Sequence, residues 1–382
     1  MIAPMWSWAP VGVLALVVAT QAAETRACRT PDPSPAPSPS PAPSPSPSPD
    51  SFTTQDGIRF RVETVVSGLS IPWSIAFAPD GRLFVTERPG RVRIVDVATG
   101  AAAVALTVDG VFAQGEAGAL GLALDPDFAQ NRLVYLYHSA AVAGGAVNRV
   151  VRYREVAGTL VERVVLLDGI PAANIHDGGR IRVGPDGLLY ITAGDAANTS
   201  FAQDLGSLAG KILRITRGGA VPAGNPFAAS PIYSWGHRNP QGLDWHPQTG
   251  DLWASEHGAT GNDEINVIRP GVNYGWPTIQ GAQTRPGMEP PVEFFSPSIA
   301  PSGASFYRGD RFPGFRNNLF VAALAGQLLL RLRVEGRDIV AEERLLDHRF
   351  GRLRDVVSGP DGNLYLATNE NDGRIIRLVP SP

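Results

Sequence analysis

The stretch from Gly184 to Ile191 reads Gly-Pro-Asp-Gly-Leu-Leu-Tyr-Ile, a turn followed by an apolar run, and its pattern decides the fold. Proline presets the first turn position, the Asp side chain bonds back to the backbone, and the second glycine accepts a positive φ. Such a turn predicts a hairpin that leads into a half-buried β-strand. Further copies of the pattern occur at residues 78–85 and 359–366 and, in looser form, around Pro126, Pro247 and Pro313.

The prolines of this repeat stand 47 to 66 residues apart, at positions 79, 126, 185, 247, 313 and 360. Repeats of about 40–50 residues that carry strand pairs are typical of propeller blades, and longer gaps accommodate inserted loops. From Phe52 onward the chain is rich in glycine and short β-type runs, with almost no helical periodicity. The sequence therefore predicts an all-β fold, a six-bladed β-propeller, over residues 52–382.

The start of the chain has a different character. An apolar stretch from Ala9 to Ala23 ends in small residues and is too short to span a bilayer comfortably, as expected of a secretory signal. The single cysteine, Cys28, is either the lipidated residue of a lipoprotein signal or an unmodified residue of a removed leader. We expect a leader at residues 1–30, export to the periplasm or the cell exterior, and a membrane tether if Cys28 is lipidated.

A Pro/Ser-rich linker is predicted for residues 31–51, where proline alternates with serine or alanine. Proline fixes φ and lacks an N–H, which excludes a helix or a central strand. The segment is either an extended polyproline spacer that reaches about 60 Å or a disordered tail. A stiff spacer after an export signal would hold the folded domain away from a membrane or wall.

The formal net charge of −3 gives no reason to expect nucleic-acid binding, so functional residues are sought in polar loops between the predicted strands. His176, beside glycines, is either a general base or a histidine bonded within a turn. The acids and carbonyls around Glu256 and Asp263 either suit a hard cation such as Ca²⁺ or form a solvated loop. Arginines in two further loops bind an anion or form surface ion pairs. The four segments are residues 174–180, 235–242, 255–266 and 351–355.

Several segments, in one order, resemble the soluble pyrroloquinoline quinone (PQQ)-dependent glucose and aldose sugar dehydrogenases and the related sorbosone dehydrogenase-like proteins. The matching segments are residues 71–77 (IPWSIAF), 118–122 (GALGL), 174–180 (NIHDGGR), 202–214, 236–242 (GHRNPQG) and 300–303 (APSG). The resemblance covers nearly the whole predicted domain. It implies a six-bladed propeller with PQQ on its axis and Ca²⁺ against the cofactor. It also implies oxidation of aldose sugars at the anomeric hydroxyl to lactones, with hydride transfer to the quinone and an external electron acceptor.

The resemblance further implies roles for individual residues. His176 would be the base that removes the proton of the anomeric hydroxyl, and Asp195 would orient it. Arg238 and Asn239 would face and polarise the quinone oxygens. The other residues implied at the cofactor or its ions are Glu116, His257, Gly258, Ala259, Asp263, Arg352 and Arg354, together with Glu256 and Tyr274. Among these, the two last arginines would pair with PQQ carboxylates. Carbonyls of Gly258 and Ala259 would bind the cofactor's Ca²⁺, and Glu256 with the Tyr274 carbonyl would hold a structural Ca²⁺.

Three positions depart from the family's pattern: Glu116 stands where Gln is frequent, Ala259 where proline is usual, and Ala325 where lysine is usual. The first and third make the predicted site less positive, which weakens its attraction for a trianionic cofactor. One alternative is a calcium-stabilised propeller that binds carbohydrate or a protein partner without redox chemistry. Another is a propeller lactone hydrolase, for which the sequence offers few axial acids. The pairing of His176 with Arg238 favours the dehydrogenase, because a pure binder needs no base.

Overall fold

The computed structural model describes residues 51–381, so the predicted leader and nearly all of the predicted linker lie outside the described residues. The first strand begins at Ser51, one residue before the predicted start of the domain. Within the described range, helical structure is limited to three short turns, Phe128–Asn131, Ser200–Gln203 and Pro313–Phe315. No helix in this range is long and apolar enough to cross a membrane.

The strands form six antiparallel sheets, the blades, and most follow one another in chain order from the inside of the ring outward. The chain begins with β1 (Ser51–Thr53) and β2 (Arg59–Leu69), which belong to the last blade. Blade 1 contains β3 (Pro72–Phe77), β4 (Leu83–Glu87), β5 (Arg91–Val95) and β6 (Ala102–Thr107). Blade 2 contains β7 (Ala119–Leu124), β8 (Leu133–Val142), β9 (Gly145–Val156) and β10 (Thr159–Pro171). Blade 3 contains β11 (Ile181–Val183), β12 (Leu189–Ala193), β13 (Lys211–Ile215) and β14 (Ile232–Trp235).

The second half of the ring repeats this order. Blade 4 contains β15 (Pro240–Trp245), β16 (Leu252–Glu256), β17 (Asp263–Ile268) and β18 (Glu293–Phe295). Blade 5 contains β19 (Pro301–Phe306), β20 (Leu319–Ala323), β21 (Leu328–Glu335) and β22 (Asp338–Leu345). Blade 6 contains β23 (Leu353–Ser358), β24 (Leu364–Thr368) and β25 (Gly373–Pro380), and is completed by β2 and β1.

Two features close the ring. The innermost strands β3, β7, β11, β15, β19 and β23 contact one another in a circle. In blade 6 the N-terminal strand β2 pairs with the C-terminal strand β25, from Phe60 opposite Pro380 to Leu69 opposite Gly373. The two ends of the domain are thereby joined in one sheet, and no pair of neighbouring blades is left open. The predicted six-bladed β-propeller is confirmed.

The hydrophobic core is divided among the six interfaces between neighbouring blades. Between blades 2 and 3, for example, Tyr137 of β8 packs in one buried cluster with Ile191 of β12. The second strands are covered on both faces; β4, β12, β16, β20 and β24 are buried along their whole length, and β8 is buried except at its ends. The prediction of half-buried strands after the Pro-Asp-Gly turns is therefore wrong, whereas the outer strand β22 does alternate. Burial on both faces explains the continuous apolar runs in the repeat.

The Pro-Asp-Gly turns join each innermost strand to the second strand, at one end of the axis. In the best copy, Gly187 has φ 76° and the Asp186 side chain accepts a bond from the Leu188 amide at 3.1 Å. The same bonds recur at Asp80 and Asp361. Because these turns occupy the C-terminal ends of the innermost strands, the loops at the N-terminal ends are free to vary at the opposite face.

Candidate active site

The polar segments singled out in the sequence converge at the N-terminal ends of the innermost strands. His176 lies just before β11, Asn239 just before β15, and Arg354 at the start of β23. Glu116 precedes β7, and the loop after β16 brings His257 to the same end of the axis. The propeller thus gathers residues that are far apart in the chain around one axial site.

His176 is held from three sides. Its backbone has φ 62°, its amide donates to Glu116 Oε2 at 3.0 Å, and its ring Nδ1 lies 2.8 Å from Asp195 Oδ1. An ionised carboxylate only accepts hydrogen bonds, so Nδ1 carries the proton and Nε2 is left with its lone pair. The side chain is 14% exposed, so this lone pair is accessible to a small ligand. Gly194 is required beneath it, because a Cβ there would lie 2.0 Å from the His176 carbonyl oxygen.

Asp195 is fully buried, and both of its carboxylate oxygens accept hydrogen bonds. Oδ1 also accepts from the Ala197 amide at 2.9 Å, and Oδ2 accepts from the Trp276 indole at 2.9 Å. Its own amide donates to the Arg238 carbonyl at 2.7 Å. Trp276 was not predicted as a site residue. Its contact with Asp195 joins loops of two different blades, which no local pattern in the sequence reveals.

Arg238 and Asn239 lie beside this pair but differ in how many hydrogen-bonding groups they have left for a ligand. The Arg238 guanidinium stacks over Trp276, 5.4 Å from the ring centroid, and Nη1 donates to the His257 carbonyl at 3.2 Å. Burial lowers its pKa somewhat. Asn239 is fully buried, and its amide oxygen accepts from Gly178 at 3.0 Å while Nδ2 donates to Glu116 at 3.2 Å. Arg238 therefore retains donors for a ligand, whereas Asn239 has protein partners at both ends of its amide.

Glu116 is the acid at the centre of this network. Burial favours its neutral form, but the charge that His257 carries when it is protonated at low pH, the bond from the His176 amide and the charge of Arg354 outweigh burial, so the pKa of Glu116 lies below the usual value. Burial also lowers the pKa of His257 to about 4, so that ring is neutral at pH 7. Arg354 is then the cation that stays beside Glu116. Arg88, which the sequence did not point to, adds a second one and donates to the carbonyls of the Glu116 loop.

Arg354 is a buried cation that makes no salt bridge within residues 51–381, although the charge of Glu116 lies near it. Its guanidinium donates to Asn369 at 3.0 Å and to Gln241 Oε1 at 2.6 Å, and it lies over Trp73. Burial, together with neighbouring arginines, lowers its pKa to about 9. An anionic ligand would offset the desolvation cost of burying the Arg354 guanidinium, since a buried charge is stable only when it is compensated. Arg352 is exposed, and only its backbone amide contacts a carboxylate, Glu370 at 3.3 Å.

The predicted calcium residues lie on the loop after β16. Asp263 accepts from Gly258 at 2.8 Å with Oδ1, and its Oδ2 accepts three further bonds from residues 298–300. Ala259 is exposed at the tip of the loop. Within the described residues, no group of three or more His, Cys, Asp or Glu side chains is arranged to hold a metal ion. A cation here would depend mainly on backbone carbonyls and on its ligand.

Glu256 and Tyr274 lie behind Arg238 rather than in the axial site. Glu256 Oε2 is 2.8 Å from the His237 ring, and Oε1 accepts from the Arg238 amide. Tyr274 stacks on His237 with a centroid distance of 4.9 Å, and its hydroxyl donates to the Val267 carbonyl. Both oxygens of Glu256 therefore already have donors. The structural Ca²⁺ assigned to Glu256 and the Tyr274 carbonyl stays a prediction.

The opposite end of the axis carries a cavity of about 670 Å³ lined by Arg182, Asp244 and Arg308, among others. Its arginines are engaged, because Arg308 makes two bonds to Asp244 and Arg182 lies 3.7 Å from Asp355. No histidine lines it. The described residues therefore combine a histidine with arginines that make no salt bridge at the face that carries His176, and not at this cavity.

The fold and the site define a class of protein: a six-bladed propeller with a carboxylate-oriented histidine and arginine side chains at one end of its axis. Residues 69–377 match the family model described as glucose/sorbosone dehydrogenase. The chain belongs to the glucose/sorbosone dehydrogenase family.

Individual relatives agree with this assignment. The aldose sugar dehydrogenase YliI of Escherichia coli is 35% identical over 84% of this chain and 92% of its own length. The solved structure of the PQQ-bound aldose sugar dehydrogenase from Streptomyces coelicolor superposes with a TM-score of 0.78 at 37% identity and covers 84% of this chain and 98% of that one. The quinoprotein glucose dehydrogenase B of Acinetobacter calcoaceticus is 26% identical over 85% of this chain and 89% of its own length.

Proposed function

We propose that this protein is a PQQ-dependent dehydrogenase that oxidises aldose sugars at the anomeric hydroxyl to lactones. One observation carries the proposal: His176, oriented by Asp195, lies at the same end of the axis as Arg354, a buried cation that makes no salt bridge within residues 51–381. Base and anion site are both required when a sugar hydroxyl loses its proton beside a trianionic cofactor. The named activities of the relatives from E. coli and S. coelicolor support this function.

The residues fit PQQ by the chemistry of their donors. Arg354, Arg88 and the exposed Arg352 supply positive charge for the carboxylates, and Arg238 keeps donors for the quinone oxygens. The buried His257 Nε2 has no partner among the described residues and is a further polar atom available to a ligand. Glu116 opposes this charge, but its carboxylate is already engaged by His176 and Asn239. The departure at Glu116 lowers the positive charge of the site, but Arg354 and Arg88 remain beside it as two cations.

PQQ, when bound, supplies the quinone that accepts the hydride. The protein's own part is proton chemistry and orientation. His176 Nε2 takes the proton of the anomeric hydroxyl, and Asp195 Oδ1 holds the ring in the required tautomer and stabilises the imidazolium that forms. Arg238 places positive charge at the axis, where negative charge develops on the acceptor. Trp276 fixes Asp195 and carries Arg238 on its face.

Calcium, export and tethering are part of the proposal. Ca²⁺ prefers oxygen ligands, and the carbonyls of Gly258 and Ala259 on the loop after β16 would supply them together with a bound anion. The Pro/Ser-rich segment would carry the propeller outside the cytoplasm, with lipidated Cys28 as the tether. Radioactive fatty-acid labelling of the wild type and Cys28→Ala decides the tether, and full-length protein confined to the cytosol would contradict export. The electron acceptor is an external one, for which a dye substitutes in the assay.

The function is tested by reconstituting purified protein with PQQ and Ca²⁺ and offering a panel of aldoses with an artificial dye acceptor. We expect sugar-dependent dye reduction that requires PQQ. Arg308→Gln, at the opposite end of the axis, is a matched control that leaves activity unchanged. If no aldose is oxidised at saturating PQQ and Ca²⁺, the propeller is a binding module and not this enzyme.

A further inference from the structure

Asp177 follows His176 in the chain but lies beneath the site rather than in it. Its side chain is 1% exposed. Oδ1 accepts from Asn148 Nδ2 at 2.8 Å and from the Ala173 amide at 3.2 Å. The Asp177 carbonyl oxygen accepts from the Tyr137 hydroxyl at 2.8 Å. Both the side chain and the backbone of Asp177 are thereby fastened to β8 and β9 of blade 2.

These bonds continue to the loop that carries Glu116. Asn148 Oδ1 accepts from Ser139 Oγ at 2.6 Å, and Ser139 Oγ accepts from the Gly118 amide at 3.3 Å. Asn148 and Ser139 are buried. Since Glu116 in turn accepts the His176 amide, one continuous set of buried bonds supports the histidine from both sides.

His176 needs this support because its backbone is left-handed, with φ 62°. Residues with a Cβ adopt this conformation only when their surroundings impose it. The Tyr137 hydroxyl fixes the next peptide, between Asp177 and Gly178, through the Asp177 carbonyl. The peptide between His176 and Asp177 is itself fixed by the His176 carbonyl, which accepts from the Ala196 amide at 3.1 Å. Rotation of this peptide would swing the imidazole away from Asp195.

We propose that Asp177 is a positioning residue for sugar oxidation: through its bonds to Asn148 and Tyr137 it holds His176 in the backbone conformation in which the ring reaches Asp195. The inference rests on the proposed function, because His176 is taken as the base. Asp177 itself touches neither substrate nor cofactor.

The groups around Asp177 show which of its atoms matters. Glu116 faces it from the loop before β7, Tyr137 from β8, neutral Asn148 from β9, and His176 from its own loop. Oδ2 is buried and has no partner among the described residues. Burial, with a contribution from the charge of Glu116, raises the pKa of Asp177 to about 7. The anchoring bonds are all made by Oδ1 and the carbonyl, so an asparagine can keep them without the charge.

The decisive experiment compares two tyrosines on the same strand. Tyr137 and Tyr135 are both fully buried on β8, and each donates a hydroxyl bond, Tyr137 to Asp177 and Tyr135 to Asp125 far from the site. In the PQQ-loaded protein we expect Tyr137→Phe to lower kcat about three- to tenfold, the worth of one hydrogen bond, with KM unchanged. Tyr135→Phe should lower the melting temperature but leave kcat unchanged. Equal kcat values for the two variants would overturn the proposal.

Two variants of Asp177 complete the test. Asp177→Ala should lower kcat by about 10- to 100-fold, as expected for a displaced base, with PQQ affinity within threefold of wild type. Asp177→Asn should restore kcat to within threefold. A loss of PQQ affinity in place of kcat, or an equal loss in both variants, overturns the proposal. If Asp177→Ala does not fold, the tyrosine pair decides.

A measurement on the apoprotein separates this inference from the proposed function. Amide hydrogen exchange of residues 173–180 should be at least tenfold faster in Asp177→Ala, and threefold or more faster in Tyr137→Phe, than in wild type, Tyr135→Phe or Asp177→Asn. If reconstituted wild type oxidises no sugar, the proposed function fails. The exchange pattern still confirms or overturns the anchoring, because it needs neither PQQ nor substrate.

Discussion

Replacing Asp195 by asparagine probes the orientation of the base. Asp195 accepts from the His176 ring with Oδ1 at 2.8 Å and from the Trp276 indole with Oδ2 at 2.9 Å. An asparagine retains only one acceptor oxygen, so its NH₂ group must face either the imidazole N–H or the indole N–H. Two donors then face each other, and one of the two hydrogen bonds is lost. The bond to the ring also loses its ionic character. Hydrogen bonds to charged groups contribute about 1.5–3 kcal/mol, which corresponds to roughly 10- to 150-fold in rate.

The assay is steady-state dye reduction at saturating PQQ, Ca²⁺ and sugar. We expect Asp195→Asn to lower kcat within that range, and His176→Ala to lower it more, by at least about 10²–10⁴-fold, because the base itself is lost. Asp125→Asn is the matched control, since Asp125 is also a buried carboxylate with several donors but lies at the far end of blade 2. Wild-type kcat in Asp195→Asn would refute the role of Asp195, and wild-type kcat in His176→Ala would refute the base.

Three further predictions concern binding, metal and pH. Arg354→Gln should raise the Kd for PQQ at least tenfold in a fluorescence titration while Arg308→Gln does not, and equal affinities would contradict the assignment of the anion site. A chelator should lower the melting temperature of the holoprotein, by an amount that reflects about 2.7 kcal/mol at a hundredfold excess of Ca²⁺ over Kd, and Glu256→Gln should blunt that response; an unchanged melting curve excludes tightly bound calcium. Because the pKa of Asp177 is raised to about 7 in the folded state, its contribution to stability is complete below about pH 4 and is lost as the pH rises through 7, by about 1.4 kcal/mol per unit of pKa difference. The melting temperature of Asp177→Asn should therefore fall less between pH 4 and 8 than that of wild type, and parallel curves would show that Asp177 does not titrate there.

The blades were predictable because their turns depend on local chemistry. Asp80, Asp186 and Asp361 make the same side-chain bond to the amide two residues on, and the glycine that follows each has a positive φ. These requirements are met within four residues, so they are visible in the sequence. The closure of the ring by β2 and β25 involves residues more than 300 positions apart, and only the number of repeats suggested it.

The sequence indicated which residues lie in the site but not which of them contact one another. The structure brings His176, Asp195, Arg238 and Glu116 together at one end of the axis. Contacts between blades could not be foreseen, and Trp276 on Asp195 is the clearest case. The bonds of Arg88 to the Glu116 loop likewise join blade 1 to blade 2.

The same limit explains why the surroundings of several predicted residues were unexpected. The sequence shows that Glu256 and Asn239 are polar and near glycines. It does not show that other protein groups already make hydrogen bonds to both side chains. In the structure His237 and the Arg238 amide engage Glu256, and Gly178 with Glu116 engages Asn239. Whether a polar group is free for a ligand depends on packing, which residue type and spacing do not encode.

In the proposed function, bound PQQ oxidises an aldose while His176 takes the proton and the axial arginines hold the cofactor. The most direct measurement mixes glucose, without any acceptor, with protein loaded with one equivalent of PQQ in the absence of oxygen, and follows the absorbance of the bound cofactor. Reduction of one equivalent within a single turnover, slowed at least about a hundredfold in His176→Ala, is the predicted result. Bound PQQ that stays oxidised with every aldose tested, or is reduced at the same rate in His176→Ala, would contradict the account.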